Sequence, residues 1–465
     1  MAETWALDGS GYNYDGCYVS TVVYDKAVRN HGSFINLSPS VQDQVCSQIL
    51  SRVAGIRHEI QGGGSFTEKD DGTAYSMSAA QSLAMAKINA KCGNIKWILN
   101  TFSAPSSIYP ALANTPHHSK MIRPNGYGPV TSNNLSSPTS TQAKLWRDAI
   151  VKEIRALIAV GCNIYAIATP NEYSTNAIPA DWWLAGGQTS SALVFANQVY
   201  GGQGIAADGV YPAGFGLKDI FPGLLLFNDD PNASGGGYLT GNQYVTLYGI
   251  HDYAQYGTAI KGKGNTPPLQ YYGEFSCTSY ANTVARLNQA FADDTMQVKT
   301  LSWWCTMRDL TLGSVTTPNG LTYSLNFSLY SLNANNQTVS ASSTGGLYPF
   351  LALLQAQGKL GGYSYTDAAT GGGISSRQPI TGVVYVEGFH RNSDSKYVRK
   401  VSNTGGTAYV DSCAITLGGV GKPLSGTVRL FTSASEGAPS AVSTDGSGNL
   451  NYSVPAGAIA VYELS

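Results

Sequence analysis

Two glutamates, far apart in the chain, each follow a short apolar or aromatic run. Glu172 closes Thr169-Pro170-Asn171-Glu172 directly after Asn163-Ile164-Tyr165-Ala166-Ile167-Ala168, and Glu274 closes Tyr271-Tyr272-Gly273-Glu274. Two carboxyl groups that face one another suit cleavage of a glycosidic bond. One protonates the leaving oxygen while the other attacks the anomeric carbon, and a retaining reaction needs them about 5 to 5.5 Å apart. Singly, a glutamate at a strand end can cap the next helix or join a surface ion pair. The pairing points to acid and nucleophile chemistry.

For these carboxylates to meet, the chain must bring strand ends together. From about residue 34 to 360 it alternates short β-branched runs with longer helix-periodic ones, the pattern of βα units around a parallel sheet. Strands are expected at Gly55–Gln61, Lys96–Thr101, Asn163–Ala168, Leu224–Phe227, Val245–Ile250, Gln270–Tyr272 and Thr300–Trp304. Between them, Ser78 to Lys91 reads as a helix ended by Gly93. Leu145, Ala149, Ile150, Ile154, Leu157 and Ile158 form one apolar helical face ended by Gly161. A loop rich in Asn, Ser and Thr leads to a helix near Leu347–Gln357.

Beyond Gly361 the texture changes to short alternating strands such as Val383–Val386 and Thr427–Phe431, a β-sandwich pattern. The expected architecture is α/β, a (β/α)8 barrel with an appended C-terminal β-sandwich. Residues 21–360 would form the barrel, 361–465 the sandwich, and 1–20 a strand or two added to the sandwich. In such a barrel the loops after the C-terminal strand ends converge on one face. Asn171-Glu172, His251-Asp252-Tyr253, Glu274 and Trp303-Trp304 would therefore meet there.

Thr169-Pro170-Asn171-Glu172 after the fourth strand and Tyr271-Tyr272-Gly273-Glu274 at the seventh resemble the acid/base and nucleophile motifs of clan A glycoside hydrolases. Within that clan the chain most resembles glycoside hydrolase family 30, which includes glucosylceramidases, xylanases and β-1,6-glucanases. Asn100 to Tyr109 is similar to that family's loop after the third strand, His251-Asp252-Tyr253 to its His-x-Tyr at the sixth, and Arg57 to its strand-two arginine. Val454 to Tyr462 is similar to the last sandwich strand. Phe102 stands where the family usually places a tryptophan against the sugar.

The resemblance implies Glu172 as general acid/base and Glu274 as nucleophile. Glu172 must be protonated near neutral pH, which the negative charge of a neighbouring Glu274 favours. Arg57 and Tyr253 are the natural donors to an ionised Glu274, and Asn171 would bond the sugar 2-hydroxyl. Trp303 or Trp304 would floor the subsite before the cut; strand alternation lets only one point inward, leaving the other to pack against helices. His251 fits a supporting role, and Phe102 a contact with the sugar.

Composition narrows the partner. The formal net charge is -1 with 12% charged residues, so there is no basic field for nucleic acid and no acidic tail. The 29 tyrosines offer flat faces with a polar edge, which suits an uncharged oligo- or polysaccharide. No apolar run is long enough for a membrane span, and the first residues show no signal-peptide pattern. A polymeric substrate would favour an extracellular enzyme acting as a monomer.

No metal or cofactor is expected. Asp229-Asp230 read as solvated turn residues, and His117-His118 have no partner at metal spacing. Gly62-Gly63-Gly64 lack nucleotide-loop spacing, and Asn326-Phe327-Ser328 is a sequon of the kind chance supplies in so Asn-rich a chain. The seven cysteines have no C-x-x-C spacing and read as buried thiols with room for one disulfide. The expected activity is retaining hydrolysis of a β-linked glycan. The alternatives are a non-catalytic carbohydrate-binding protein on the same scaffold, or another clan A family with a different substrate.

Overall fold

The computed structural model describes residues 3–6, 10–12, 16–20, 22, 34–60, 77, 79–93, 95–101, 140–169, 193–230, 241–253, 271–277, 279–290, 300–310, 315–316, 322–323, 328–333, 335, 337–358, 363–365, 383–391, 393–417 and 420–465. Eight strands run parallel: β1 (Gly16–Ser20), β2 (Gly55–Ile60), β3 (Lys96–Thr101), β4 (Asn163–Ala168), β5 (Leu225–Asp230), β6 (Val245–Tyr253), β7 (Tyr271–Ser276) and β8 (Thr300–Trp303). They pair in sequence order, and β8 returns to β1, closing a barrel.

Alternation along each strand separates two apolar layers. Tyr18, Ile98, Ala166, Ala168, Phe227 and Leu247 point inward and plug the barrel, with the Tyr18 ring lying over Gly55. A Cβ at Gly55 would meet that ring at 2.1 Å, so only glycine leaves room for it. Residues of the opposite parity, among them Val19, Ile56, Trp97, Leu99, Ile167, Leu226 and Leu301, face outward under the helices.

The first helix comprises α1 (Pro39–Val45) and a wider turn over Cys46–Leu50; next come α2 (Ala79–Cys92) and α3 (Ser140–Ala159). Later helices include α4 (Tyr280–Ala290) and α5 (Leu347–Gln357). Trp97 locks α2 to β3 by donating to Asn89 Oδ1 at 3.0 Å. Gly93 and Gly161 follow α2 and α3 with φ of 64° and 86°, the left-handed geometry that ends a helix.

The buried stripe of α3 is rotated from the expected one. Ala143, Trp146, Ile150, Ile154 and Leu157 are buried, whereas Leu145 and Ile158 are 46% and 48% exposed. Trp146 takes the central position, stacking edge-on against Phe195 at 5.0 Å. Beside it, the buried Arg147 bonds Asp208 at 2.9 Å and the Phe215 carbonyl at 2.6 Å, fixing the segment before β5 against α3.

The segment after β8 is more ordered than its polar composition suggests. Met307–Asp309, Tyr330–Asn333 and Thr338–Ala341 form a three-stranded sheet, and Val315–Thr316 pairs with Thr322–Tyr323. Asp229 and Asp230 are the last residues of β5 rather than turn residues.

The C-terminal unit packs a seven-stranded sheet on a four-stranded one around a shared core that includes Val401, Ile415, Leu450 and Tyr462. Its strands include β9 (Val384–Arg391), β10 (Lys396–Asn403), β11 (Tyr409–Leu417), β12 (Ser425–Phe431), β13 (Asn449–Val454) and β14 (Ile459–Leu464). Glu3–Ala6 joins β11, and Ser10–Tyr12 joins Tyr363–Tyr365 at the edge of the larger sheet. Gly16–Ser20, however, is the first barrel strand, so the barrel begins at Gly16 rather than at residue 21. That strand is buried at all five positions and shows no alternation to mark it.

The larger sheet turns its other face to the barrel. Tyr385, Val398, Phe431, Ile459 and Val461 belong to the same apolar cluster as the outer barrel layer and α5. Arg391 donates to the carbonyls of Gln355 and Ala356 at 2.7 and 3.0 Å and pairs with Glu463.

Candidate active site

Above the apolar plug, at the C-terminal ends of the strands, the inward positions become polar. Glu274 on β7 is 3% exposed and lies within the barrel mouth. The fully buried Arg57, projecting from β2 across the barrel, donates from Nη1 to Glu274 Oε1 at 2.7 Å. The register of β6 on β7 sets His251 beside Glu274, and His251 Nδ1 lies 3.6 Å from Oε2. The carboxylate is therefore held on one oxygen by a guanidinium and approached on the other by an imidazole.

A charge so fully removed from water is tolerated only when paired, and an arginine fork in hydrogen-bond contact supplies that pairing. Truncating one partner of such a pair strands the other charge. The geometry thus holds a paired carboxylate at the C-terminal end of β7.

The remaining candidates are placed unequally. Tyr253 is the last residue of β6, in register with Ser276 of β7. Phe102, Asn171 and Glu172 lie outside the described residues; β4 ends at Ala168, and Thr169 bonds back to β5 through its amide at 2.8 Å from the Phe227 carbonyl. His117-His118 and Gly62-Gly63-Gly64 also lie outside them.

Trp303 does not face the mouth. It is 0% exposed in the outer layer, with ring centroids 5.5 Å from Phe275 and 5.4 Å from Phe350 of α5. Gly346 borders this seat so closely that a Cβ there would meet the indole at 2.6 Å. Trp303 is thus a core residue, and as a candidate sugar contact it is corrected. Alternation turns the following, partly exposed Trp304 to the opposite side; its amide bonds the Phe275 carbonyl at 2.9 Å.

Three polar residues of the mouth were not singled out from sequence. Asn100 on β3 and Ser276 and Ser302 on the last two strands are all fully buried at inward positions. The signal was present in the period of two. Ser276 follows Glu274 by two residues, and Asn100 follows the inward Ile98 by two. His58, by contrast, faces outward against Trp97, 5.7 Å between ring centroids, and burial pulls its pKa down to about 3.

No protein-family model matches the chain, and no curated protein matches it. Solved structures do. The catalytic domain of a family 30 xylanase C from Talaromyces cellulolyticus superposes with a TM-score of 0.62 at 15% identity, covering 99% of each chain. A family 30 subfamily 8 xylanase from Clostridium acetobutylicum gives 0.62 at 14% identity over 100% of this chain and 99% of its own. An endo-β-1,6-glucanase, BT3312, gives 0.63 at 14% identity over 100% and 95%. Sequences this different share a fold without sharing a specificity. The chain shares its barrel-and-sandwich fold with these two glycoside hydrolase family 30 xylanases and with the endo-β-1,6-glucanase.

Proposed function

We propose that the protein is a retaining glycoside hydrolase acting on a β-linked glycan, with Glu274 as nucleophile and Glu172 as general acid/base. The observation that carries this reading is the buried Glu274 at the C-terminal end of β7, bonded by Arg57 at 2.7 Å and flanked by His251 at 3.6 Å. A guanidinium in contact favours the ionised carboxylate that a nucleophile requires.

With Oε1 held by Arg57, Oε2 is the oxygen that attacks the anomeric carbon as the glycosidic bond breaks. Glu172 delivers its proton to the departing oxygen, then takes a proton from the water that releases the sugar from Glu274. Glu172 comes four positions after Ala168, the end of β4, which supports its standing at the same mouth. Trp304 offers an apolar face to the sugar ring, with Asn171, Tyr253 and Phe102 completing the contacts. The fold shared with two xylanases and a β-1,6-glucanase supports a polysaccharide or oligosaccharide substrate. Such a substrate would be met outside the cell.

The test is Glu274→Ala assayed with and without azide on an aryl β-glycoside the wild type cleaves. The reading expects turnover to fall at least ~10⁴-fold, and azide to restore it with formation of an α-glycosyl azide. Full activity in the variant overturns it. A wild-type protein that binds a panel of β-glucans, xylans, galactans and mannans without cleaving any would instead make it a carbohydrate-binding protein.

A further inference from the structure

The helix after β1 lies along α2, and the seam between them is polar at one end and lined by thiols at the other. Lys87 of α2 donates to the Pro39 carbonyl and to Gln42 Oε1, each at 3.0 Å, and pairs with Asp43 at 3.0 Å. Lys91 reaches the same carboxylate at 3.5 Å. These contacts fix the two helices in register. Further along come Cys46 and Cys92, 2% and 4% exposed, neighbours across the seam, Cys46 three residues on from Asp43 and Cys92 next to Lys91.

Two further observations bear on this pair. Cys46 lines a surface cavity of about 650 Å³ together with Asp43, Ser47 and Lys91, so the seam opens to solvent beside that residue. The seam also encloses the chain from 46 to 92, which contains β2 and with it Arg57. Anything that fastens the two helices also fastens the strand that presents the arginine.

We propose that Cys46 and Cys92 form a disulfide that staples the first two barrel helices, made by exchange with a small-molecule disulfide such as oxidised glutathione. In that exchange one thiolate attacks the glutathione disulfide and displaces a first glutathione thiolate. The second cysteine sulfur then attacks the mixed disulfide, forming the Cys46–Cys92 bond and displacing the second. The protein loses two electrons and two protons, and oxidised glutathione becomes two molecules of the thiol. Two helices already held in contact have little left to lose in native geometry, and the bridge constrains the unfolded chain.

The adjacent Cys92 thiol, with burial second, holds Cys46 well above the usual thiol range. The attacking species is the thiolate, so the folded, reduced protein exchanges slowly. The bridge forms during folding, when both sulfurs are exposed.

The test is refolding of the reduced, denatured full chain in a mixture of reduced and oxidised glutathione, followed by rapid alkylation and tryptic mapping without reduction. The expected product weighs about 2 Da less than the reduced chain. It yields the peptide of residues 30–52 joined to that of 92–96, and its Tm falls by several degrees when dithiothreitol is added. Cys46→Ala and Cys92→Ala should each lose that dependence on dithiothreitol. Should a variant fail to fold, the wild-type map alone decides. Both cysteines fully alkylated, or either one joined to a different cysteine, overturns the proposal.

Discussion

Arg57 and Glu274 meet across the barrel mouth at 2.7 Å, one fully buried and the other 3% exposed, joining β2 to β7 through side chains alone. The pair therefore bears on stability and, under the proposed mechanism, on chemistry as well. Replacing Arg57 by Ala leaves a buried carboxylate without its counter-charge, which costs about 3 to 5 kcal/mol. The expected outcome is a Tm lowered by several degrees and a kcat/KM lowered at least ~10²-fold, whereas Arg57→Lys retains the charge and loses less of both. Thermal melts and steady-state kinetics on the three proteins check this; an Arg57→Ala enzyme with wild-type kinetics would remove the arginine from the site.

The two carboxylates should respond differently to the leaving group. Glu172→Ala is expected to slow substrates with poor leaving groups by ~10²- to 10⁴-fold, while aryl glycosides with good leaving groups retain most of their rate in the glycosylation step. Pre-steady-state kinetics over a series of leaving groups measure this. Equal losses across the series would deny Glu172 the role of acid.

Trp303 and Trp304 are neighbours with opposite fates. Trp303→Ala empties a seat against Phe275 and Phe350 and should cost about 3 to 5 kcal/mol of stability, seen as a lower denaturant midpoint. Trp304→Ala should leave the midpoint nearly unchanged and raise KM by roughly 2- to 10-fold, the range expected for loss of one aromatic face. The reverse pattern would mean that the outward and inward sides are exchanged.

His58 sets an acid limit. Its folded-state pKa, pulled to about 3 by burial, lies below the ordinary 6.5, so as pH falls the unfolded chain takes up the proton first. The contribution is fully present above pH about 6.5 and is lost progressively towards pH 3, amounting to a few kcal/mol at the acid end. Melts between pH 7 and pH 3.5 should show Tm falling through this window, and His58→Leu should flatten the slope whatever its absolute Tm. An unchanged slope would assign the acid sensitivity to other groups.

Much of this arrangement is legible in the sequence for a definite reason. Barrel strands are short apolar runs, and the polar residue that follows each run must stand at the mouth, so Glu274 and His251 can be placed without coordinates. Direction across the barrel wall is harder. Asn100 and Ser276 look like ordinary polar residues until their parity with Ile98 and Glu274 is counted, and the Trp303-Trp304 step leaves both orientations open until Phe275 and Phe350 occupy one side. In α3, Leu145 and Ile158 are apolar but exposed, because Trp146 claims the centre of the buried stripe. Gly16–Ser20 stays hidden because a strand buried on both sides has no alternation to betray it.

The pairing of Glu3–Ala6 with β11, and of Ser10–Tyr12 with Tyr363–Tyr365, sets an order of assembly. On the ribosome residues 3–12 emerge long before their partners exist. β1 also waits for β8. The barrel therefore cannot close until β8 is made, nor the larger sheet until β14 is, and that sheet covers the outer barrel layer. Until then the growing polypeptide carries unsatisfied strand edges, which are sites for chaperones or for self-association. Nascent chains cut short before β14 should be recovered as aggregates or chaperone-bound species rather than as a free, folded barrel.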